Sequence, residues 1–200
     1  MKRILWIAVL SIALPAVAFA GSTTDYGNVG GTLTGTSAGL TLTGSELTSI
    51  NLTTGNLGTV SFSTGALVSG TMAGSATFAG GAGSSFTIAE TGGLVFNGTF
   101  TGPVTWALQP GMGTSGQMTY ILTGSVSGTW SNGVAVSGTT VQIAVTSSGA
   151  FNGTINCSNG TCLSGDTVLT STAVPEPGTL GLLGTGLVGA AGILRRKLKS

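Results

Sequence analysis

The sequence predicts an all-β body, an antiparallel β-sandwich or barrel-like fold with a β-solenoid as the alternative, flanked by an N-terminal signal helix and a single C-terminal transmembrane helix. Three observations lead to the body's fold class. Large apolar residues recur at every second position in many short runs, the period of a strand with one buried face. Gly, Asn and Pro separate these runs about every ten residues, as turns do in antiparallel folds. No stretch of the body sustains the 3.6-residue period of an amphipathic helix.

The strands follow in order. Leu40/Leu42, Val60/Phe62, Phe86/Ile88 and Phe96/Phe100 are the first alternating pairs. Val104, Trp106 and Leu108 come next, with Pro103 and Pro110 at their margins, where a missing amide costs no central ladder bond. The longest run is Met118–Trp130, in which Met118, Tyr120, Leu122, Val126 and Trp130 share one parity and Thr119, Thr123, Ser125, Ser127 and Thr129 the other. Ser131-Asn132-Gly133 interrupts it before Val134-Ala135-Val136; Asn and Gly both tolerate positive φ, so a hairpin is expected. Val141, Ile143 and Val145 then alternate with Gln142 and Ala144. Gly-Gly pairs at 30–31, 80–81 and 92–93 punctuate the series, and β-branched Thr suits the wet faces. Phe96-Asn97-Gly98-Thr99-Phe100 recurs loosely from Phe151 to Ile155, but the recurrences share no period, which a solenoid requires. Gly21 to Gly58 has few large side chains beyond leucine and carries the weakest pattern.

Composition limits the chemistry. The chain has 36 Gly, 33 Thr and 22 Ser but only 11 charged residues and no histidine. All six cations lie at the ends, so the formal +1 sums unlike segments: the body carries Asp25, Glu46, Glu90 and Asp166 and no cation, a charge of −4. Without His there is no Ser-His or Cys-His couple and no imidazole metal ligand. Without Lys or Arg there is no Schiff base and no clamp for phosphate, and nucleic acid is repelled. Glu46 and Glu90 are the one remaining pair for a glycosidase, against the commoner role of solubilising surface carboxylates. The acids are too dispersed for calcium. The expectation is no enzyme, no cofactor and no metal. Trp106, Tyr120 and Trp130 could form a sugar-binding platform, but their alternating positions favour burial.

Cys157-Ser158-Asn159-Gly160-Thr161-Cys162 reads as a turn whose ends are bridged, since an even cysteine count in an exported chain favours a structural disulfide. Asn-x-Ser/Thr triplets begin at Asn51, Asn97, Asn152, Asn156 and Asn159, only modestly above chance in so hydroxyl-rich a chain. Hydroxyl-rich faces also suit O-linked sugar on composition.

The two ends read as addresses. Met1-Lys2-Arg3, the apolar run Ile4–Leu14, Pro15 and the small residues Ala18 and Ala20 have the layout of a signal peptide over residues 1–20, with cleavage before Gly21. At the other end, Val174-Pro175-Glu176-Pro177 precedes seventeen uncharged residues, Gly178 to Leu194, and the basic tail Arg195, Arg196, Lys197 and Lys199. Seventeen residues make a helix of roughly 25 Å, slightly short of the bilayer core but able to span it with local thinning. The cationic tail stays in the cytoplasm and the body outside.

The order Pro-Glu-Pro, short apolar helix and basic terminus resembles the PEP-CTERM sorting signal of exported bacterial proteins. The resemblance covers residues 174–200 and leaves 21–173 as the body. It implies export by the secretion machinery and processing by an exosortase, a membrane cysteine transpeptidase, in a Gram-negative-type envelope and often beside extracellular polysaccharide. The precursor is then anchored in the inner membrane, with the mature body at the cell surface or outside it. A permanent anchor is the plainer alternative. The body is expected to be a surface or matrix structural protein that meets polysaccharide or its own copies. A carbohydrate-binding module is the second reading, and a glycosidase the third.

Because no Lys or Arg lies between Arg3 and Arg195, trypsin applied to the denatured chain is expected to cut only near its ends. Intact-mass spectrometry of the digest checks this, and any internal tryptic fragment contradicts it.

Overall fold

The computed structural model describes residues 22–112, 116–157 and 162–171, together with Gly186. The signal and transmembrane helices expected from the sequence lie outside these residues. Thirteen strands run in chain order: β1 (Thr23–Val29), β2 (Thr32–Thr36), β3 (Gly39–Ile50), β4 (Thr53–Ser63), β5 (Leu67–Gly70), β6 (Ala76–Phe78), β7 (Ser85–Glu90), β8 (Val95–Phe100), β9 (Val104–Gln109), β10 (Met118–Trp130), β11 (Ala135–Ser147), β12 (Thr154–Asn156) and β13 (Leu163–Thr170). Among the described residues, 22–171 are all-β, and the strand pairs are antiparallel. Eight strands close into a barrel in the order β1-β3-β4-β7-β8-β10-β11-β13, with β13 returning to β1. Barrel is therefore the form the body takes, rather than open sandwich or solenoid. Closure leaves these eight without a free edge.

Two long strands each serve two partners along one edge. β10 pairs β8 through Val126–Trp130 and β9 through Thr119–Thr123. β3 pairs β1 through Glu46–Ile50 and β2 through Gly39–Thr43. The sheet thus forks twice: β9 carries β6 and β5, and β2 carries β12. At one fork the chain turns through Gly30 and Gly31, whose φ values are 71° and 94°. A Cβ on Gly31 would lie 2.7 Å from the Thr43 carbonyl oxygen, so the corner requires glycine on both counts. Pro103 turns the other fork, where β8 has ended and β9 has not begun.

The barrel is filled by rings. Phe100 stands edge-on to Phe62 and Phe86, each with centroids 6.0 Å apart. Phe86 meets Phe96, Phe96 meets Trp130 and Trp130 meets Tyr26, in a continuous chain of contacts. Glycines facing inward make the space. A Cβ on Gly124 would sit 2.7 Å from the Phe100 ring, and one on Gly98 would sit 2.8 Å from the Phe96 ring. In these strands glycine accommodates a neighbouring ring, which offsets its poor strand propensity.

A second aromatic group lies under the β9 fork. Trp106 stacks on Tyr120 at 4.7 Å and 8°, and Phe151 packs against Trp106 at 5.4 Å. Their polar tips are satisfied: Trp106 Nε1 donates to the Met72 carbonyl at 2.9 Å, Tyr120 Oη donates to the Ala73 carbonyl at 2.9 Å, and Phe151 N–H donates to Tyr120 Oη at 3.0 Å. One hydroxyl ties two loops to the barrel wall.

Removing that hydroxyl leaves a buried N–H and a carbonyl without their partner, at a cost of roughly 1–3 kcal/mol. Tyr120→Phe is therefore expected to lower the melting temperature by several degrees. Unchanged thermal unfolding by circular dichroism would show that the hydroxyl tie contributes nothing.

Candidate functional site

The barrel end at which the body begins and finishes is the most distinctive surface. Thr23 and Thr170 form the last rung between β1 and β13. Beyond it Ser171 N–H donates to the Ser22 carbonyl at 2.9 Å, the two serine Oγ atoms lie 2.8 Å apart, and Val136 bridges Ser171. This clasp borders a hollow of about 180 Å³ lined by Ser22, Thr24, Tyr26, Leu94, Trp130, Asn132, Val134, Val136, Leu169 and Ser171. Its buried floor is apolar and its exposed edge carries hydroxyls, an amide and Val134, none of them charged. The Ser131-Asn132-Gly133 turn expected from the sequence places the rim: Asn132 Oδ1 accepts the Val134 N–H at 3.1 Å, and Trp130 N–H donates to the Val134 carbonyl at 2.9 Å.

The two rings below are not an open sugar platform. Trp130 is 7% exposed and Tyr26 5%, and their planes are tilted by 36°. Tyr26 donates to Glu90 Oε1 at 3.4 Å. Burial first, and then the charge and hydrogen bond of Glu90, push the Tyr26 pKa up to about 12, with a weaker opposing effect from Thr24. Tyr26 is a neutral donor at any physiological pH. Trp106 and Tyr120 are coplanar but fully buried, so they too serve packing.

Glu46 and Glu90 stand on opposite faces of the wall. Leu47, Gly58 and Glu90 form one row across β3, β4 and β7, and Leu47 is buried inside. Glu46 occupies the next row and is exposed outside. Carboxylates on opposite faces cannot flank one glycosidic bond.

A different acidic pair, Asp25 and Asp166, lies on the outer face, where Asp166 is opposite Gly27 and Asp25 two residues before it. The hydrogen bond with Asp25, then burial, then the Asp25 charge raise the Asp166 pKa above the ordinary value. The sequence offered no hint of this pairing, because 141 residues separate the two positions. Among the described residues no group of three or more His, Cys, Asp or Glu could hold a metal ion.

Inside the wall, Asn28 donates through Nδ2 to Ser45 Oγ at 2.7 Å, and Ser45 Oγ donates to the Val29 carbonyl at 3.1 Å. Asn28 Oδ1 and Thr167 Oγ1 are buried without a partner. Cys157 and Cys162 form the disulfide expected, with Cα atoms 5.3 Å apart. It links the end of β12 to the start of β13, and Cys157 N–H docks on the Gly31 carbonyl at 2.7 Å.

The outer face is organised into hydroxyl belts. One row runs Ser69, Thr77, Thr105, Thr123, Gln142, Asp166, Gly27, Ser49, Thr54 across nine adjacent strands. A second runs Thr154, Thr34, Thr41, Ser63, Ser85 across five. Neighbouring members are about 4.8 Å apart, the strand spacing. The sequence showed a Thr-rich surface, but alignment into rows depends on register.

Asp166→Asn removes the repulsion within the acidic pair. The folded state holds the Asp166 proton more tightly than the unfolded chain does, so that group favours folding at acid pH, and the benefit is lost as pH rises through its raised pKa. The variant is therefore expected to melt higher than the parent at neutral pH, with the difference closing below about pH 4. Melting curves that stay offset equally at both pH values would contradict the coupling.

Val174, Pro175, Glu176 and Pro177, the tail residues Arg195, Arg196, Lys197 and Lys199, and the cleavage residues Ala18, Ala20 and Gly21 all lie outside the described residues. No helix among the described residues is long and apolar enough to cross a membrane. No curated protein and no solved structure matches the chain. The PEP-CTERM protein-sorting motif matches residues 173–197, the segment that holds the Pro-Glu-Pro sequence, the apolar run and the arginine pair. The chain therefore carries a PEP-CTERM sorting motif, the signal of an exported, membrane-anchored precursor that is handed to an exosortase-type enzyme.

Proposed function

We propose that the body is a non-enzymatic structural or interaction protein of the cell surface or extracellular matrix, which meets polysaccharide or its own copies through its hydroxyl belts. The observation that carries the reading is the row across nine strands of one continuous wall, in which eight positions carry Ser, Thr, Gln or Asp and the ninth is Gly27. Its unbroken part, the six positions from Ser69 to Asp166, offers donors and acceptors at strand spacing without the cations that would draw phosphate or nucleic acid. The interior supports the same reading, since rings occupy the barrel and the two body glutamates face opposite ways. The signal peptide over residues 1–20 delivers the body to the secretion machinery, and removal of the C-terminal segment at the Pro-Glu-Pro region frees it from the inner membrane. A carbohydrate-binding module of the aromatic-platform type is the weaker reading, because Trp106, Tyr120 and Trp130 are buried.

Binding through neutral hydrogen bonds is insensitive to salt, unlike binding through exposed charges. Mature protein from the producing cells is expected to co-sediment with that organism's extracellular polysaccharide in both low and high salt. Thr105→Val combined with Thr123→Val removes two adjacent hydroxyls from the belt, and at about 1 kcal/mol each the retention should fall on the order of ten-fold or more. Absence of co-sedimentation and of self-association, or loss of retention in high salt, would rule out this role.

A further inference from the structure

We propose that the barrel end around Ser22, Leu94, Asn132, Val134 and Ser171 is the surface against which the membrane-bound processing enzyme sits when it engages the Pro-Glu-Pro sequence. The inference rests on the sorting motif and adds a docking surface on the body. Its first ground is chain length. The barrel's hydrogen bonds run as far as Ser171, and the motif match begins at residue 173. Only Thr172, Ala173 and Val174 separate Ser171 from Pro175, a reach of at most about 14 Å when fully extended. Even a 100-residue domain has a radius of gyration of about 13 Å. An enzyme that encloses Pro175 in a cleft therefore has its own surface against the barrel end.

The second ground is the chemistry of that end. The hollow there has a buried apolar floor of Tyr26, Trp130, Val136 and Leu169, and its exposed edge carries hydroxyl and amide groups together with Val134, with no charge. Val134 stands on the rim with 38% of its surface exposed, and its backbone is held by the Asn132 turn. Among the described residues the other large exposed apolar side chains, Leu52, Val68, Met112 and Met118, do not line this hollow. No acidic side chain lines it either, although the body has no charge other than acids. A partner that grips the adjacent chain segment thus meets an uncharged, partly apolar surface.

The test follows conversion of the full-length precursor in its producing cells, by pulse-chase and intact-mass spectrometry. Val134→Asp and Val134→Lys, of opposite sign, are both expected to slow conversion about five-fold or more, because either sign of charge must be desolvated when the uncharged surface is covered. An insertion of about twelve Gly/Ser residues after Thr172, with a mean reach of roughly 20 Å, separates the surfaces. In that background the two variants and the parent should convert at one rate. Parent-like conversion of both variants at native length overturns the proposal. So does a slowing that persists with the insertion, because a folding defect is indifferent to the linker. Pro175→Ala and Glu176→Ala separate this from failure of the sorting reading: if they convert normally, the motif itself is not used. If they block conversion while the Val134 variants do not slow it, only the docking surface falls.

Discussion

Everything in this body depends on β11 reaching both of its neighbours. It pairs with β10 from Met118↔Ser147 to Thr129↔Ala135 and with β13 from Thr140↔Val168 to Val145↔Leu163. Val141, Ile143 and Val145 are buried along it. Without these two ladders the sheet would be open, with bare edges on β10 and β13 and the ring-filled interior exposed to water. The longer belt would also be cut, since Gln142 joins Thr123 to Asp166 through the same two ladders. These contacts are distant in sequence from β1, so closure comes only when the last strand has been placed between the first and β11.

The composition becomes intelligible once the barrel is closed. Large rings cannot fill a narrow barrel if every inward position carries a side chain, so ring and glycine face each other, as Phe100 faces Gly124. The forks need glycine for a different reason, a positive φ at a close backbone approach, as at Gly31. Threonine occupies the wet face, where β-branching suits the pleat and the hydroxyl satisfies water. A chain of Gly, Thr and a few aromatics therefore encodes a packed barrel and not a disordered stalk. It needs no cation to do so.

Legibility in the sequence varied with how far each feature reaches. The bounds of β10 could be read to the residue, and its inward positions hold Tyr120, Leu122, Val126 and Trp130 as read, although at the first rung Met118 is exposed and Thr119 buried. β1 and β13 were not legible. Their inward positions include Asn28, Gly165 and Thr167, which destroy the apolar alternation. The disulfide and the sorting motif were readable because all their residues are contiguous in the chain. Barrel against sandwich, the Asp25–Asp166 contact and the opposed faces of Glu46 and Glu90 depend on register between distant strands. No local pattern carries that information.

Charge separates the molecule's two tasks. The ends hold all the cations and the body holds only acids, so the end segments, the C-terminal one carrying the sorting motif, are electrostatically unlike the fold between them. Within the body the acids are spaced apart except for one pair, in which the hydrogen bond with Asp25, then burial, then the Asp25 charge raise the proton affinity of Asp166. A body stabilised by ladders, rings and one disulfide loses little to ionic strength. Its exterior offers partners hydroxyl and amide hydrogen bonds and no cation. The same neutrality extends to the hollow beside Ser22 and Ser171, next to the segment that must be gripped. Recognition at that end therefore has to come from shape and apolar contact.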